Sequence, residues 1–369
     1  MKICLFFLFL LFGTYPSCLC AQEDSAAYYP FDENHAVRVH LPADYATSEL
    51  SYPTIYVFDG QVLFDVLVAF YRYNQDEYPP AILVGIEQLD RGKEFLEKGE
   101  TNPEGNSVFS TAIAEKLIPA IDRKYRTNSI RVGIGHSHGG TFVLNAALGQ
   151  GIFNAVISIS PTLWVNRKAF FQKYPPSSSA WKNLKKFYCG YGENDFPAIQ
   201  EDVDRLFADL IPTPISKQKK VFRDEDHNFS ILCGMRKGIE YIFQDFRLSE
   251  EEWETLEDSG NDSLFIRHFQ QLSDFWNEKI IPGEDDFNQL GYFYSEREEI
   301  GKAEQTFQEA LRYYPYSANL YDSLGELYEK KGDADNARTC YRKALEIAEK
   351  NKDYYLMIGT FTEHLRRLE

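Results

Sequence analysis

The run Gly133-Ile134-Gly135-His136-Ser137-His138-Gly139-Gly140 decides the fold of this chain. A short β-type stretch, 129–132, precedes it, and a helical stretch, 141–148, follows it. The order strand, Gly-x-Ser-x-Gly and helix is typical of a nucleophile elbow, a tight turn that lifts a serine hydroxyl above the sheet edge. We predict that Gly135 and Gly139 are glycines because this turn leaves no room for side chains. Backbone N–H groups at the start of the helix would then face a developing oxyanion.

Length, charge and the N-terminal sequence restrict the classes of protein to which this chain can belong. The chain has 369 residues, enough for two or three domains, and 44% of them are hydrophobic, so a large core is possible. The net charge is −17, and the sequence contains no run of basic residues that could bind the phosphate backbone of a nucleic acid. We therefore expect no nucleic-acid partner. Lys2 and the apolar run 3–12 predict a signal peptide, 1–21, and hence an exported, periplasmic or secreted protein. The run is too short to span a bilayer, so no transmembrane span is expected after its removal; a membrane anchor is the alternative.

Continuous apolar stretches alternate with helical ones over the first two thirds of the chain. The apolar stretches lie at 36–41, 53–58, 81–86, 129–132, 155–160, 187–191 and 219–222. Strands that are apolar on both faces predict a mostly parallel sheet with helices on either side. Together with the elbow, they predict an α/β domain of the α/β-hydrolase type over 28–247.

The composition changes after residue 248. The run 250–258 is crowded with Glu and Asp and contains no Lys or Arg, and we interpret it as a solvated boundary. A helix should resume near Ser263. Its apolar stripe would consist of Phe265, Phe269, Leu272 and Trp276. We therefore assign 248–283 to an acidic linker and a connecting helix.

An internal repeat of 34 residues follows. Phe287, Leu290, Gly291, Tyr294, Ala303, Phe307 and Ala310 recur as Tyr321, Leu324, Gly325, Tyr328, Ala337, Tyr341 and Ala344. This pattern resembles tetratricopeptide repeats, each of which is a pair of helices. We predict an all-α module over 284–369, with repeats at 284–317 and 318–351 and a closing helix over 353–368. Such modules bind protein partners or self-associate, but the pattern does not identify a partner.

A nucleophilic serine needs a base and an acid. In this class of fold the chain order is serine, acid, histidine, and His227 is the histidine that follows Ser137 in a polar loop after a strand. We therefore predict His227 as the general base. The acid should follow the sixth strand and orient the imidazole. Asp195 is favoured and Glu193 is the alternative, while Asp224 and Asp226 adjoin His227 and are further candidates.

The oxyanion hole needs two backbone N–H donors. We predict His138, directly after the serine, as one donor, and Gly60 or Gln61, after the strand at 53–58, as the other. The cysteines of the mature chain have no zinc-ligand spacing, and no metal or organic cofactor is implied. A bridge between Cys189 and Cys233 is an option in an oxidising compartment, but buried free thiols are the preferred interpretation.

Four motifs resemble those of the esterase D and enterochelin-esterase-like α/β hydrolases. They are Phe58-Asp59-Gly60, Leu117-Ile118-Pro119-Ala120-Ile121-Asp122, Gly135-His136-Ser137-His138-Gly139-Gly140 and Ser160-Pro161-Thr162-Leu163-Trp164. The resemblance spans about 36–245 and implies a serine hydrolase that acts on esters. Arg91, with Glu94-Phe95, is similar to the family's Arg-x-x-Glu-Leu stretch, which implies that Arg91 lies near the substrate. Trp164 is a second candidate for substrate binding.

These observations favour an exported serine esterase over a binding protein. Ser137 would attack a small-molecule ester with His227 as the base, through an acyl-enzyme. The family resemblance suggests siderophore esters of the enterochelin type or acylated carbohydrates. The alternative is a non-catalytic scaffold that keeps the hydrolase fold and uses the repeats for protein–protein interaction.

Overall fold

The computed structural model describes residues 35, 37–74, 77–96, 107–212, 214–350 and 354–368. The predicted signal peptide lies outside the described residues. Within them, seven strands form one sheet in the order β1-β3-β2-β4-β5-β6-β7, and every neighbouring pair is parallel except β1 and β3. The strands are β1 (Val37–His40), β2 (Tyr52–Phe58), β3 (Ile82–Ile86), β4 (Thr127–His136), β5 (Ala155–Ile159), β6 (Lys186–Gly192) and β7 (Ser216–Phe222). The predicted mostly parallel sheet is confirmed.

Helices cover both faces of the sheet. The helices of this part of the chain are α1 (Gly60–Tyr73), α2 (Arg91–Phe95), α3 (Ser107–Ala112), α4 (Ile118–Lys124), α5 (His138–Gln150), α6 (Arg167–Lys173), α7 (Pro197–Arg205) and α8 (Ser230–Phe243). Side chains alternate along β2, because successive residues of a strand point to opposite faces. Ile55 and Val57 belong to the core with α1 and α8, whereas Tyr56 and Phe58 belong to the core with α5. The sheet is therefore buried on both sides, as its apolar strands predict.

Strand β4 is longer than its sequence pattern indicates. It runs for ten residues and continues to His136, through residues that the pattern assigned to the turn. Gly133 allows this path, because a Cβ there would lie 2.7 Å from the Phe153 ring. The strand therefore delivers Ser137 directly at the carboxyl edge of the sheet.

The acidic run is a helix and not only a solvated boundary. Helix α9 (Glu250–Ser259) begins with a capping box in which Ser249 and Glu252 satisfy each other's backbone N–H groups. Acidic residues in the first turn also complement the positive end of the helix dipole. Trp253 and Leu256 are buried, while most of the carboxylates around them are exposed.

The C-terminal region is helical throughout its described residues. It contains α10 (Ser263–Trp276), α11 (Glu284–Glu296), α12 (Ile300–Tyr313), α13 (Ala318–Lys330), α14 (Ala334–Lys350) and α15 (Ile358–Arg367). The two repeats pack in the same way. A Cβ at Gly291 would lie 2.4 Å from the Phe307 ring, and a Cβ at Gly325 would lie 2.5 Å from the Tyr341 ring. Glycine at this position therefore lets an aromatic ring of the following helix pack on the backbone.

The predicted stripe on α10 connects the two parts of the chain. All four of its side chains are buried, and they belong to the same hydrophobic cluster as the sheet and α8. The cluster continues to Phe287 and Leu290 on α11. Because this packing is continuous, α9 and α10 cover apolar surface on both the sheet side and the repeat side.

The far edge of the sheet is formed by β7. This strand is exposed along most of its length and carries Lys217, Lys219 and Lys220. Lys219 forms an ion pair with Asp204 on α7. The cysteines Cys189 and Cys233 are free, so the optional disulfide is not formed. Among the described residues, no helix combines the length and apolarity that crossing a bilayer requires.

Candidate active site

Ser137 occupies the turn between β4 and α5. Its backbone has φ 59° and ψ −119°, a conformation that is uncommon for a residue with a side chain. The turn is held by the Ser137 N–H, which donates to the carbonyl of Ile159 on β5 at 2.9 Å. A serine with this backbone stands clear of the sheet, as expected of a nucleophile elbow.

The glycines of the turn differ in their roles. A Cβ at Gly135 would lie 2.2 Å from the Gly139 carbonyl oxygen, so this position requires glycine. The same reason was predicted for Gly139, and that prediction is wrong. A Cβ at Gly139 would meet nothing closer than 3.4 Å, which is ordinary contact. The second crowded position is Gly140, where a Cβ would lie 2.9 Å from the Ile159 carbonyl oxygen.

The structure brings the serine, histidine and aspartate together. Ser137 Oγ lies 3.0 Å from His227 Nε2, and His227 Nδ1 lies 2.8 Å from Asp195 Oδ1. A carboxylate only accepts, so Nδ1 carries the proton and Nε2 is free to accept from the serine hydroxyl. The Asp195 side chain is fully buried and the His227 side chain is 20% exposed.

Asp195 is held by three hydrogen-bond donors. The donors are His227 Nδ1–H, the Phe196 N–H and the hydroxyl of Ser160. Burial alone would raise the pKa of Asp195. The three hydrogen bonds outweigh that burial and hold the pKa of this carboxyl below its ordinary value. Asp195 is therefore ionised at neutral pH, the state in which it can stabilise a protonated imidazole.

The other candidate acids lie away from the imidazole. Glu193 is exposed, and its carboxylate accepts from the Asp224 N–H at 3.2 Å. Asp224 has a positive φ of 63° in this turn. Asp226 accepts from the N–H groups of Asn228 and Phe229, and so caps the turn before α8. The Glu193 and Asp226 side chains and the Asp224 backbone therefore organise the two loops that carry Asp195 and His227.

The predicted oxyanion donors begin two helices. Gly60 and Gln61 start α1, and His138 starts α5. Among the described residues, none of these three N–H groups has a hydrogen-bond acceptor. Gly60 is fixed tightly, because a Cβ there would lie 2.7 Å from the Ile86 nitrogen. First-turn N–H groups without acceptors provide a partial positive charge that can hold an anion.

A salt bridge connects the predicted substrate residue Arg91 to the Gly60 loop. Arg91 Nε and Nη2 donate to the two Asp59 carboxylate oxygens at 2.7 and 3.0 Å, and Nη2 also donates to the His136 carbonyl at 3.3 Å. Asp59 itself has φ 58°. In the Arg-x-x-Glu-Phe stretch, Glu94 and Phe95 are buried, whereas 41% of the Arg91 side chain is exposed. Arg91 therefore links the elbow to the loop of the second donor.

Two segments of the chain match known protein families. Residues 30–197 match the family described as "Putative esterase", and residues 287–350 match a tetratricopeptide-repeat family. The α/β-hydrolase part of the chain therefore contains an esterase-family segment, and its C-terminal part contains tetratricopeptide repeats. Residues of the site after position 197, including His227, lie beyond the matched segment.

Two solved structures share the fold of this esterase. An IroE-like serine hydrolase from Shewanella oneidensis aligns with a TM-score of 0.62 at 21% identity, over 76% of this chain and 95% of that one. An uncharacterised protein from Capnocytophaga ochracea aligns with a TM-score of 0.60 at 17% identity, over 92% and 96%. The Bacillus subtilis protein YbbA, also uncharacterised, is 28% identical over 150 residues, which are 37% of this chain and 60% of YbbA.

Three polar residues of the esterase site were not predicted. Ser160, fully buried with φ 45°, donates its one hydroxyl proton to Asp195. The Ser230 hydroxyl lies 2.8 Å from the Ser160 oxygen and 2.9 Å from the His227 carbonyl, and donates its one proton to one of these two acceptors at a time. His136 Nε2–H donates to the same carbonyl at 2.7 Å. Burial lowers the pKa of His136 to about 4, so its ring is neutral at pH 7. Ser160 lies in one of the quoted motifs, which was the available sequence signal.

Aromatic side chains border the esterase site. Trp164, the second predicted substrate residue, is 46% exposed on the turn after β5. Phe196 is 55% exposed, and its ring lies edge-on to the His227 ring at 5.1 Å between centroids. These rings provide apolar surface at the mouth of the site.

A possible metal site lies in the repeats rather than in the esterase domain. Among the described residues, Asp322, Glu326 and His364 form the one group of three potential ligands with suitable spacing. His364 Nδ1 and Asp322 Oδ1 are 2.9 Å apart and bond each other. This cluster joins α15 to α13.

Proposed function

We propose that this protein is a serine esterase with Ser137 as nucleophile, His227 as general base and Asp195 as acid. The observation that carries the proposal is the series of contacts from Ser137 Oγ through His227 to Asp195, at 3.0 and 2.8 Å, in an esterase-family domain. The base is oriented by a third group, which is the arrangement that activates a serine hydroxyl.

The proposed reaction follows from this arrangement. Ser137 Oγ attacks the ester carbonyl while His227 Nε2 accepts the hydroxyl proton, and Asp195 stabilises the resulting imidazolium. The oxyanion accepts from the N–H of His138 and from Gly60 or Gln61. Nε2 then gives the proton to the departing alkoxide, leaving an acyl group on Ser137. A water molecule, deprotonated by His227, then attacks this acyl group. The bond between the acyl carbon and Ser137 Oγ breaks, Nε2 returns the proton to Oγ, and the acid is released.

We further propose a substrate that contacts Arg91 and Trp164. Siderophore esters of the enterochelin type and acylated carbohydrates are the two classes to test. The salt bridge to Asp59 supports a role for Arg91 in fixing the oxyanion loop. The half-exposed Trp164 offers a face on which a sugar or an aromatic ring can pack.

Labelling with a fluorophosphonate probe tests this function. We expect the probe to modify Ser137, identified by peptide mass spectrometry, and purified protein to hydrolyse short p-nitrophenyl esters. Parallel assays on acetylated sugars and a trilactone siderophore would identify the substrate class. Absence of both labelling and hydrolysis would favour the alternative of a non-catalytic scaffold.

We propose that the mature protein is exported. Lys2 and the apolar run 3–12 support a cleaved signal peptide. Intact-mass measurement of the protein from its native envelope should give a chain that lacks about 20 residues at its N-terminus, which is the usual length of a signal peptide. A chain that retains Met1 would contradict export by this route.

We also propose the division into a hydrolase domain at 28–247, a connecting segment at 248–283 and a repeat module at 284–369. The module would bind a protein partner or a second copy of the chain, as such repeats do. The hydrophobic cluster that the sheet shares with α9, α10 and α11 suggests that α9 and α10 also stabilise the hydrolase domain by covering its apolar surface.

Two shortened proteins test this division. A protein ending at Pro282 keeps the buried stripe of α10, and we expect it to hydrolyse a small activated ester at a rate within about threefold of the full chain. A protein ending at Arg247 loses that cover, so we expect retained activity with lower solubility and a lower Tm. If both are soluble and folded but inactive, the repeats help to build the active site.

A further inference from the structure

A small cavity lies under the nucleophile turn, between α5 and the segment that follows β5. Its volume is about 20 Å³. Its apolar walls include Phe95, Leu163 and Phe170, and its polar lining includes Thr141 and Asn145. We call it the amide cavity, after the Asn145 carboxamide.

Two polar side chains of the amide cavity, Asn145 and Thr141, lack hydrogen-bond partners among the described residues. Asn145 is only 7% exposed, and neither its carboxamide oxygen nor its nitrogen has a hydrogen bond within the part of the chain that the structure describes. The same is true of the Thr141 hydroxyl. Buried polar groups in native proteins are almost always hydrogen-bonded, and an unmet one requires an explanation. Here the unmet groups lie on one helix, four residues apart, and so on the same face.

The amide cavity borders the reacting serine. The Thr141 N–H donates to the Ser137 carbonyl at 3.2 Å, and the Thr162 N–H approaches the same carbonyl at 3.4 Å. Thr162 also lines the cavity, and its hydroxyl is hydrogen-bonded to His138 Nδ1. Thr141 and Asn145 follow Ser137 by four and eight residues of helix, about 6 and 12 Å along its axis, so the cavity lies within reach of a substituent that extends several ångströms from an ester carbonyl bound at Ser137.

The size and lining of the cavity restrict its occupant. A volume of about 20 Å³ holds one group of the size of a water molecule. An alkyl group would leave the amide unmet, and a charged group would find no counter-ion among the lining side chains. A hydroxyl fits, because it donates one hydrogen bond and accepts two, which matches an amide beside a threonine.

We propose that the amide cavity is a subsite that binds a hydroxyl group of the ester substrate, with Asn145 and Thr141 as its ligands. This inference rests on the proposed esterase function and specifies its substrate class as hydroxyl-bearing esters. In the free enzyme a water molecule would occupy the subsite, and the substrate hydroxyl would replace it.

Paired substrates test the subsite. The acyl side is tested by p-nitrophenyl hexanoate against p-nitrophenyl 6-hydroxyhexanoate, and the alcohol side by hexyl butyrate against 6-hydroxyhexyl butyrate, because a terminal hydroxyl on a six-carbon chain can extend to the cavity. We expect kcat/KM to favour the hydroxylated ester by at least about tenfold in one of the pairs, because a site built for a hydroxyl rejects the analogue that lacks it. Asn145→Leu and Thr141→Val should reduce this ratio to near one.

A matched control and a second readout keep the result unambiguous. Asn288→Leu removes another amide, on α11 in the repeats, which is half-buried and whose buried oxygen has no partner among the described residues, and it should leave the ratio unchanged. Equal kcat/KM within both pairs for the wild type, or a ratio that survives in both cavity variants, overturns the proposal.

Ligand binding separates this proposal from the esterase proposal. In the inactive Ser137→Ala protein, 6-hydroxyhexanoate or 1,6-hexanediol should raise the Tm more than hexanoate or 1-hexanol do, and Asn145→Leu should remove the difference. That result supports the subsite even if the wild type hydrolyses no ester tested. Hydrolysis of plain esters, with no hydroxyl effect on rate or Tm, refutes the subsite and leaves the esterase proposal standing.

Discussion

Ser137→Ala should abolish ester hydrolysis while leaving the fold intact. The substitution removes the hydroxyl that lies 3.0 Å from His227 Nε2, and no neighbouring hydroxyl has this contact within the described residues. Loss of the nucleophile in a serine hydrolase lowers kcat by a factor on the order of 10⁶. The measurement is kcat/KM on a p-nitrophenyl ester, together with the Tm.

The Tm distinguishes a chemical effect from a structural one. Alanine keeps the Cβ that already tolerates φ 59° at this turn, so we expect the Tm to change little. Ser259→Ala, an exposed serine at the end of α9, is the matched control and should be fully active. Activity of Ser137→Ala within about tenfold of wild type would rule out Ser137 as the nucleophile.

Asp195→Asn should reduce kcat by a factor of about 10⁴ with little change in KM. The asparagine can donate from its amide to Nδ1, which favours the imidazole tautomer with its proton on Nε2. That tautomer cannot accept the proton of Ser137, although the packing around position 195 is retained. The hydrogen bond from Ser160 would also meet an uncharged acceptor.

Glu193→Gln is the control for the acid. Its carboxylate accepts from the Asp224 N–H and has no contact with the imidazole, so the loss in kcat should stay below about tenfold. A loss in Glu193→Gln that equals the loss in Asp195→Asn would show that the assignment of the acid is wrong. Measuring kcat/KM of both variants across a pH series also shows whether the activity of each variant depends on the same ionising group.

The sequence was informative where local backbone chemistry decides the geometry. The elbow, the alternating strands and the repeat glycines each depend on neighbours within a few residues or on a regular period, so they could be predicted. The choice between Asp195 and Glu193 could not be derived in that way. It depends on which carboxylate accepts hydrogen bonds from His227, Ser160 and the Phe196 N–H, and the tertiary fold determines these contacts.

Long-range contacts also explain what the sequence analysis missed. No role was predicted for the His136 side chain, because its contact with the His227 carbonyl depends on the approach of two loops that are distant in sequence. The acidic helix α9 was interpreted from its charge alone. Its capping box and the burial of Trp253 and Leu256 outweigh the repulsion between its exposed carboxylates.

The exposed strand β7 has a consequence for the behaviour of the protein at high concentration. An edge strand presents unpaired N–H and C=O groups that can template the addition of a further strand from another molecule. Lys217 and Lys220 place two positive charges on this edge, and Lys219 adds a third that its ion pair with Asp204 partly neutralises, so two molecules that approach edge to edge repel each other. We expect salt to weaken this protection by screening the charges, and replacement of the lysines by valine to turn a monodisperse solution into one that aggregates.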